Sequence, residues 1–250
     1  MSGHSKWASI KRQKGKNDHA RGKVFSRHAR EIMVAARDGG GNPETNSKLR
    51  MCVQRAKSDG MALDNIERAI KKGSGELEGD KLEEQTYEGY GPHGVALMID
   101  TMSDNKNRTV GELRAVFNKL GGNLGESGCV GYQFESKGVI QIDRGDYDED
   151  TMLELALEAG AEDLRTETDA FEILTAPTEL YAVVEALEAA GVKPTDFELT
   201  RLAINTIQLD EQQARQVLRL VDAIEDLDDI QKVHANFDID EQVLEAMSAG

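Results

Sequence analysis

At Gly73-Ser74-Gly75 the chain changes sign. Residues 1–75 carry 17 Lys/Arg against 7 Asp/Glu, a net of +10. Residues 76–250 carry 13 against 39, a net of −26, and the two parts give the whole-chain −16. The Gly-, Ser- and acid-rich stretch from Gly73 to Asp80 reads as a linker at the switch. So sharp an asymmetry describes a cationic module for a polyanion, carried on an acidic body. The whole-chain pI of about 4.8 conceals it.

The other bounds are simple. At 250 residues, 39% hydrophobic and 30% charged, the chain supports two or three folded domains. Its longest apolar runs, Ile32 to Ala36 and Val95 to Ile99 among them, are far too short for a membrane span, and the N-terminus lacks the apolar run of a secretory signal. Cys52 and Cys129 fall in different predicted domains. No disulfide is expected, and the location expected is cytoplasmic.

Along the chain, residues 1–16 form a small, polar, basic arm holding Lys6, Lys11, Arg12, Lys14 and Lys16, with Trp7 and Ile10 as its bulky apolar groups. A long helix is predicted from Asn17 or Asp18 to Gly39-Gly40-Gly41. Phe25, His28, Ile32, Ala35 and Ala36 fall on its packed face, and Lys23, Arg27, Arg30 and Arg37 form a cationic ridge opposite. A second helix is expected from the cap Asn42 and Pro43 to Ser58. A third should open on an Asp64-x-x-Glu67 capping box and end at Lys71-Lys72-Gly73. Strands follow at 86–90 and 95–102, then a helix from the box Thr109-x-x-Glu112 to Leu120, the loop Gly121 to Gly128, and a strand at 130–134.

Residues 137–206 then supply a strand-helix-strand-strand-helix-strand series: strands near 138–142, 161–167, 170–175 and 197–206, helices near 150–159 and 177–190. That order is the ferredoxin-like split βαβ. A helix capped by Asp210-x-x-Gln213 and a strand near 232–237 remain without near partners. The architecture expected is therefore α+β and multidomain. A basic three-helix domain (1–75) precedes two ferredoxin-like α/β domains, with 137–206 inserted into a unit made of 82–134 plus 207–238.

Several strings resemble the YebC-type family: Gly3-His4-Ser5-Lys6-Trp7, Arg21-Gly22-Lys23-Val24-Phe25-Ser26, Asp64-Asn65-Ile66-Glu67-Arg68-Ala69-Ile70-Lys71-Lys72-Gly73, Tyr87-Glu88-Gly89-Tyr90-Gly91-Pro92 and Gly121-Gly122-Asn123-Leu124-Gly125. The resemblance spans essentially the whole chain. It implies one helical and two α/β domains in a cytoplasmic protein of a family labelled as transcriptional regulators. A mitochondrial relative activates translation of cytochrome oxidase, and bacterial relatives are linked to ribosomes stalled on proline-rich stretches. Ala62 stands where the family usually has Pro, and Cys129 where it has Ser.

The strongest functional signal is the arm with the ridge. Nine of the ten charged residues in 1–30 are basic, whereas a merely solvated face mixes signs. The nucleic-acid-binding candidates are Lys6, Trp7, Lys11, Arg12, Lys14, Lys16, Arg21, Lys23, Arg27, Arg30 and Arg37. Trp7 reads either as a stacking platform or as an anchor for the arm. A helix-turn-helix presenting Asn65, Arg68, Lys71 and Lys72 is weakened by the six-residue connection Ser58 to Leu63, and a plain helical hairpin fits better.

The loop Gly121 to Gly128 lacks the Lys-Ser/Thr of a phosphate cradle, and the acidic clusters at 143–150 and 222–229 lack calcium-loop spacing. The five histidines show no zinc spacing or triad context, and His28 reads as a packed histidine. The sequence thus predicts a regulator with no catalytic residues, cofactor, metal or small-molecule substrate. Its partner is DNA or ribosomal RNA, with the ribosome itself as a further partner. A DNA-binding transcriptional regulator is the first reading, a ribosome-associated translation factor the second, and a metal-dependent nuclease a distant third.

Overall fold

The structure is a computed structural model that describes residues 18–78, 82–145, 147–167, 170–240, 242–244 and 247, with side chains from 22 onward. The basic arm therefore lies outside the described residues. So do the placements expected for Lys6, Trp7, Lys11, Arg12, Lys14 and Lys16, and for the Arg21 side chain.

Three helices come first: α1 (Asp18–Gly39), α2 (Ser47–Ser58) and α3 (Leu63–Gly73). Ile32, Ala35 and Ala36 of α1 meet Leu49, Val53 and Ala56 of α2 and Ile66 and Ala69 of α3, with Met61 closing the end. This core is small, so close backbone approach matters. A Cβ on Gly73 would sit 2.2 Å from the Met33 carbonyl oxygen, so only glycine lets α3 end against α1.

Two helix starts differ from expectation. Asn46, not Asn42, caps α2: its Oδ1 accepts from Leu49 N at 3.0 Å, while its Nδ2 donates to the Ala35 and Gly40 carbonyls at 2.8 Å. One buried amide thus satisfies the end of α1 and the start of α2 together. Asn42 instead closes the preceding turn, accepting from Glu44 N. In α3 the Asp64 box does not form, because the helix begins one residue earlier at Leu63 and Asp64 lies within its first turn. Ala62, the residue before it, has φ −63°, which suits the proline usual there.

Beyond the linker, β1 (Glu83–Tyr90) and β2 (Ala96–Ser103) form an antiparallel hairpin pairing Tyr87 with Ile99. Then come α4 (Lys106–Leu120), the two-residue β3 (Asn123–Leu124) and β4 (Phe134–Asp143). After them run α5 (Glu149–Glu158), β5 (Asp163–Thr166), β6 (Ala170–Thr175), α6 (Leu180–Ala189) and β7 (Asp196–Ala203). The chain closes with β8 (Ile207–Leu209), α7 (Glu211–Glu225), β9 (Ile230–Ala235) and β10 (Phe237–Ile239). The fold is α+β, a helical region followed by α/β units.

One sheet has the order β3-β1-β2-β9, so a strand from the far end of the sequence pairs with the hairpin. The α4 and α7 helices cover one face of it. Leu113 and Phe117 of α4 and Val217, Leu220, Val221 and Ile224 of α7 pack on Leu97, Ile99 and Val233. Each such fully buried side chain contributes about 2–3 kcal/mol of burial. The second sheet has the antiparallel order β5-β6-β4-β7, the ferredoxin-like arrangement, with α5 and α6 packed on Ile140, Ile142, Phe171 and Ile173. The strands β8 and β10 pair in parallel, which the sequence reading did not anticipate.

Three further boundaries shift. Asn105, not Thr109, caps α4, accepting from Arg108 N at 3.2 Å, and this leaves Thr109 inside the helix and buried. The strand expected at 130–134 is replaced by a buried Val130, a short 3₁₀ turn at 131–133, and a strand starting only at Phe134. Pro177 lies in a turn before α6 rather than in its first turn. The box at Asp210 and Gln213 does form, with both reciprocal bonds present.

Because β9 is a full partner of β2 and α7 supplies much of the same core, deleting 207–250 should strip 83–124 of protection. Hydrogen exchange of the truncated chain should show amides of 96–103 exchanging freely while 134–203 remains protected. Unchanged protection at 96–103 would show that the first sheet does not depend on this segment.

Candidate nucleic-acid interface

The ridge predicted on α1 is present, and in this structure it is occupied. The Lys23 Nζ donates to the Asp226 carbonyl at 2.8 Å and pairs with its Oδ1 at 3.0 Å. Arg27 donates to the Glu225 carbonyl at 2.7 Å, and Arg30 to the Asp228 carbonyl. Arg37 donates to the Leu82 carbonyl at 2.8 Å and to the Asp38 carboxylate beside it. Three successive cations of one helix thus meet the last carbonyls of α7 and the loop after it, where the helix leaves acceptors unsatisfied and its dipole is negative. The Lys23 contact is wet: its side chain and that of Asp226 are 44% and 75% exposed, so this pair contributes at most about 1 kcal/mol, whereas Arg27 and Arg30 are half-buried.

Beneath the ridge lies a buried charge. Asp229 is 2% exposed, and its carboxylate accepts from Ser103 Oγ at 2.9 Å, Thr109 Oγ1 at 2.8 Å and Arg108 at 2.8 Å. Arg30 stands 3.9 Å away. Burial opposes ionisation of this carboxyl, but the bonds from Thr109, Arg108 and Ser103 outweigh it and hold its pKa below the usual range. Next to it a cavity of about 590 Å³ separates the helical region from the first sheet's helices. Its wall is mostly charged, with Arg30, Lys72 and Arg108 facing Asp104, Glu112 and Asp228.

The outer face of α2 is also engaged. Arg50 pairs with Glu185, and Arg55 pairs with Asp196 at 3.2 Å, donates to the Phe197 carbonyl and lies 5.9 Å from the centre of that ring. Met51 enters the core of the second sheet. The α2 helix is therefore a bracket against the ferredoxin-like unit and leaves little face for a groove. Arg68, Lys71 and Lys72 on α3 are exposed, interspersed with Asp64 and Glu67.

The glycine loop is organised by a residue the sequence reading passed over. Glu88 on β1 accepts from the backbone N–H of Gly128 and Val130 at 2.7 Å and of Gly131 at 2.8 Å. Burial alone would push this carboxyl up, but the three amides pull it below the usual value. Three N–H groups bent around one carboxylate cannot also serve a strand ladder, which explains the lost strand at 130–134. An acidic residue alternating with apolar ones in a strand, opposite a glycine-rich loop, was the signal available.

His28 is a packed histidine. It is buried, with Nε2 2.7 Å from Asp59 and Nδ1 3.6 Å from Glu31. Burial lowers its pKa, but the two carboxylates raise it by more, to above 6.5. Cys52 and Cys129 are free thiols, and burial drives Cys52 up to about 11, away from thiolate chemistry. Among the described residues, no helix is long and apolar enough to cross a membrane, and no cluster of three metal-ligating side chains is present.

Comparison with known proteins accounts for nearly the whole chain. Residues 5–76 match the model of the TACO1/YebC N-terminal domain, and residues 82–237 match that of the TACO1/YebC second and third domains. The chain belongs to the TACO1/YebC family. A protein of Persephonella marina is 52% identical over 250 residues, covering 99% of this chain and 100% of its own. One from Acidithiobacillus ferrooxidans is 53% identical over 249, covering 100% and 99%. Both are named probable transcriptional regulatory proteins, so a regulatory role holds at the level of the family. The crystal structure of a conserved hypothetical protein from Aquifex aeolicus superposes with a TM-score of 0.82 at 51% identity, covering 91% of this chain and 94% of that one.

Two measurements test the site's electrostatics. Asp229→Ala should cost about 2–4 kcal/mol in denaturant unfolding, since it orphans two buried hydroxyls and a guanidinium. A cost below about 1 kcal/mol would show that the network is dispensable. His28 contributes stability that is full below about pH 6.5 and is lost as pH rises through its raised native value. The melting-temperature gap between wild type and His28→Gln should therefore narrow as pH rises above about 6.5. A constant gap would assign His28 to packing alone.

Proposed function

We propose that the protein is a non-enzymatic, DNA-binding transcriptional regulator that holds its polymer through backbone charge at its N-terminus. The observation that carries this reading is the distribution of positive charge along the chain. Lys23, Arg27 and Arg30 are taken up by α7 and the loop after it, and Arg50 and Arg55 by the ferredoxin-like unit. Segment 1–21, by contrast, holds six Lys/Arg against the single acid Asp18. Cations clustered in one short segment with a single acid among them are the electrostatic footprint of a phosphate contact. The assigned contacts are Lys6, Lys11, Arg12, Lys14, Lys16 and Arg21, with Trp7 beside them.

A second reading, binding of structured ribosomal RNA, is favoured by the bracketing of α2. A regulator that selects DNA sequence usually offers a helix to the major groove. Here α2 is turned to the ferredoxin-like unit, and α3 is 11 residues long with mixed charge. Contacts that track backbone and shape serve RNA equally well.

Sedimentation of lysate through a sucrose gradient, with and without RNase or DNase, separates the two. Cosedimentation with the nucleoid fraction that DNase abolishes supports the first reading, and ribosomal cosedimentation that RNase abolishes supports the second. For the purified chain, ~5 neutralised phosphates should give a slope of log affinity against log salt of about −4.5 on duplex DNA. Deleting 1–16 should flatten that slope on every sequence tested. Salt-independent binding, or a slope indifferent to the deletion, overturns the assignment of the contact to this segment.

A further inference from the structure

The helical region is attached to the α/β body on two sides, and the two attachments differ in kind. On the α2 side, Met51 is part of the apolar core formed by Ile140, Phe171, Leu180 and Val184. Arg55 reinforces that side from the Phe197 ring and carbonyl. On the α1 side, no described residue of 22–78 enters the core formed with Leu97, Phe117 and Val221. That seam consists of Lys23, Arg27 and Arg30 on the oxygens of 225–228, beside the charged 590 Å³ cavity. Apolar burial is insensitive to salt and polyanions. Contacts of exposed or half-buried cations with oxygens are sensitive to both.

What occupies the ridge is also informative. Along α1, positions 23, 27 and 30 lie on one face within two turns, and each grips an oxygen of a chain segment that carries Glu225, Asp226, Asp228 and Asp229. A row of oxygens with negative charge behind it is what a phosphodiester backbone also offers, with a full charge on each unit.

We propose that the α1 ridge is a latent phosphodiester-binding surface, held closed by the 225–229 segment, and that a nucleic-acid backbone displaces this segment while the helical region pivots about its α2 bracket. The proposal rests on the nucleic-acid reading above and adds an intramolecular competitor to it. The ridge becomes available once the seam parts. The closed seam lowers apparent affinity by the fraction of chains that are open.

A cross-link tests this directly. Lys23→Cys and Asp226→Cys are introduced into a full-length Cys52→Ala/Cys129→Ser background and joined by a short bis-maleimide. Binding of a short DNA duplex and a short RNA hairpin is then compared in the joined and unjoined forms of the same protein, so that lost side chains cancel. Closure should weaken binding about tenfold on whichever probe the wild type prefers. In the opposite sense, Asp226→Asn/Asp228→Asn should strengthen wild-type binding several-fold more than Asp64→Asn/Glu67→Gln, which removes the same charge from α3. Spin labels at Glu67 and Arg219 should move apart when the preferred probe is added. Binding that is indifferent to the cross-link, or an unchanged label distance, overturns the proposal and leaves the nucleic-acid reading intact. If neither probe binds the wild type at low salt, that reading fails and takes the proposal with it.

Discussion

A carboxylate removed from water must be surrounded by donors, and Asp229 is placed where that demand organises the molecule. Its oxygens draw in Ser103 from the end of β2, Thr109 and Arg108 from the start of α4, and Arg30 from α1. Its own carbonyl accepts from Met102 N at 2.9 Å. Segments more than a hundred residues apart are thereby locked at one point, just before β9 enters the sheet. The three residues ahead of Asp229 follow the C-terminus of α7, so fixing the carboxylate also fixes where the helix's unsatisfied carbonyls point. The ridge of α1 docks there because those carbonyls are held still.

The junction between the two sheets uses the same device. Asp100 on β2 accepts from Arg201 of β7 and from His234 of β9 at 2.9 Å, and Lys232 of β9 pairs with Glu198 of β7. Burial works against the charge on Asp100, yet His234 and Arg201 hold its carboxyl far below the ordinary value. Burial presses His234 the other way, toward its neutral form. Paired charges of this sort fix orientation more than they add stability. A body whose parts meet through polar contacts of fixed geometry is suited to holding a binding segment at a set angle. Apolar contacts add to these: Met51 enters the core of the second sheet, and Ala96 and Met98 of β2 pack with Phe134 of β4 and Ala203 of β7.

Features that belong to local physics were legible in the sequence. The 3.6-residue spacing of Ile32, Ala35 and Ala36 placed the packed face of α1, and the Asp210-x-x-Gln213 pattern placed the start of α7. The strand-helix-strand-strand-helix-strand order announced the ferredoxin-like sheet. Two of the misplaced starts share a cause: Asn42 and Thr109 look like caps from near neighbours in sequence, but partners elsewhere decide. Asn46 wins because it also satisfies the Ala35 carbonyl, and Thr109 is drawn inside α4 by Asp229, 120 residues away. Glu88 was missed for the same reason, since its amide donors lie 40 to 43 residues downstream. For the ridge, periodicity gave the face correctly, but charge alone could not say that an intramolecular acceptor lay opposite.

That last point changes how the −26 of residues 76–250 is to be understood. If the acidity served only to repel polyanions, it would be spread over the body, and it would act within a screening length of about 8–10 Å at physiological salt. Part of it instead sits at the end of α7, against the very cations that an incoming phosphate would seek. There the contest is local and unscreened distance does not enter: a chain of phosphates must offer Lys23, Arg27 and Arg30 more than the carbonyls of Glu225, Asp226 and Asp228 already do. A stray anion touching one cation cannot unseat three contacts at once, whereas a continuous backbone anchored through 1–21 presents several charges at high effective concentration. On the proposed function, the seam therefore discriminates by length and charge density of the polymer rather than by base sequence. On that reading the filter comes from the same acidic segment that anchors the fold.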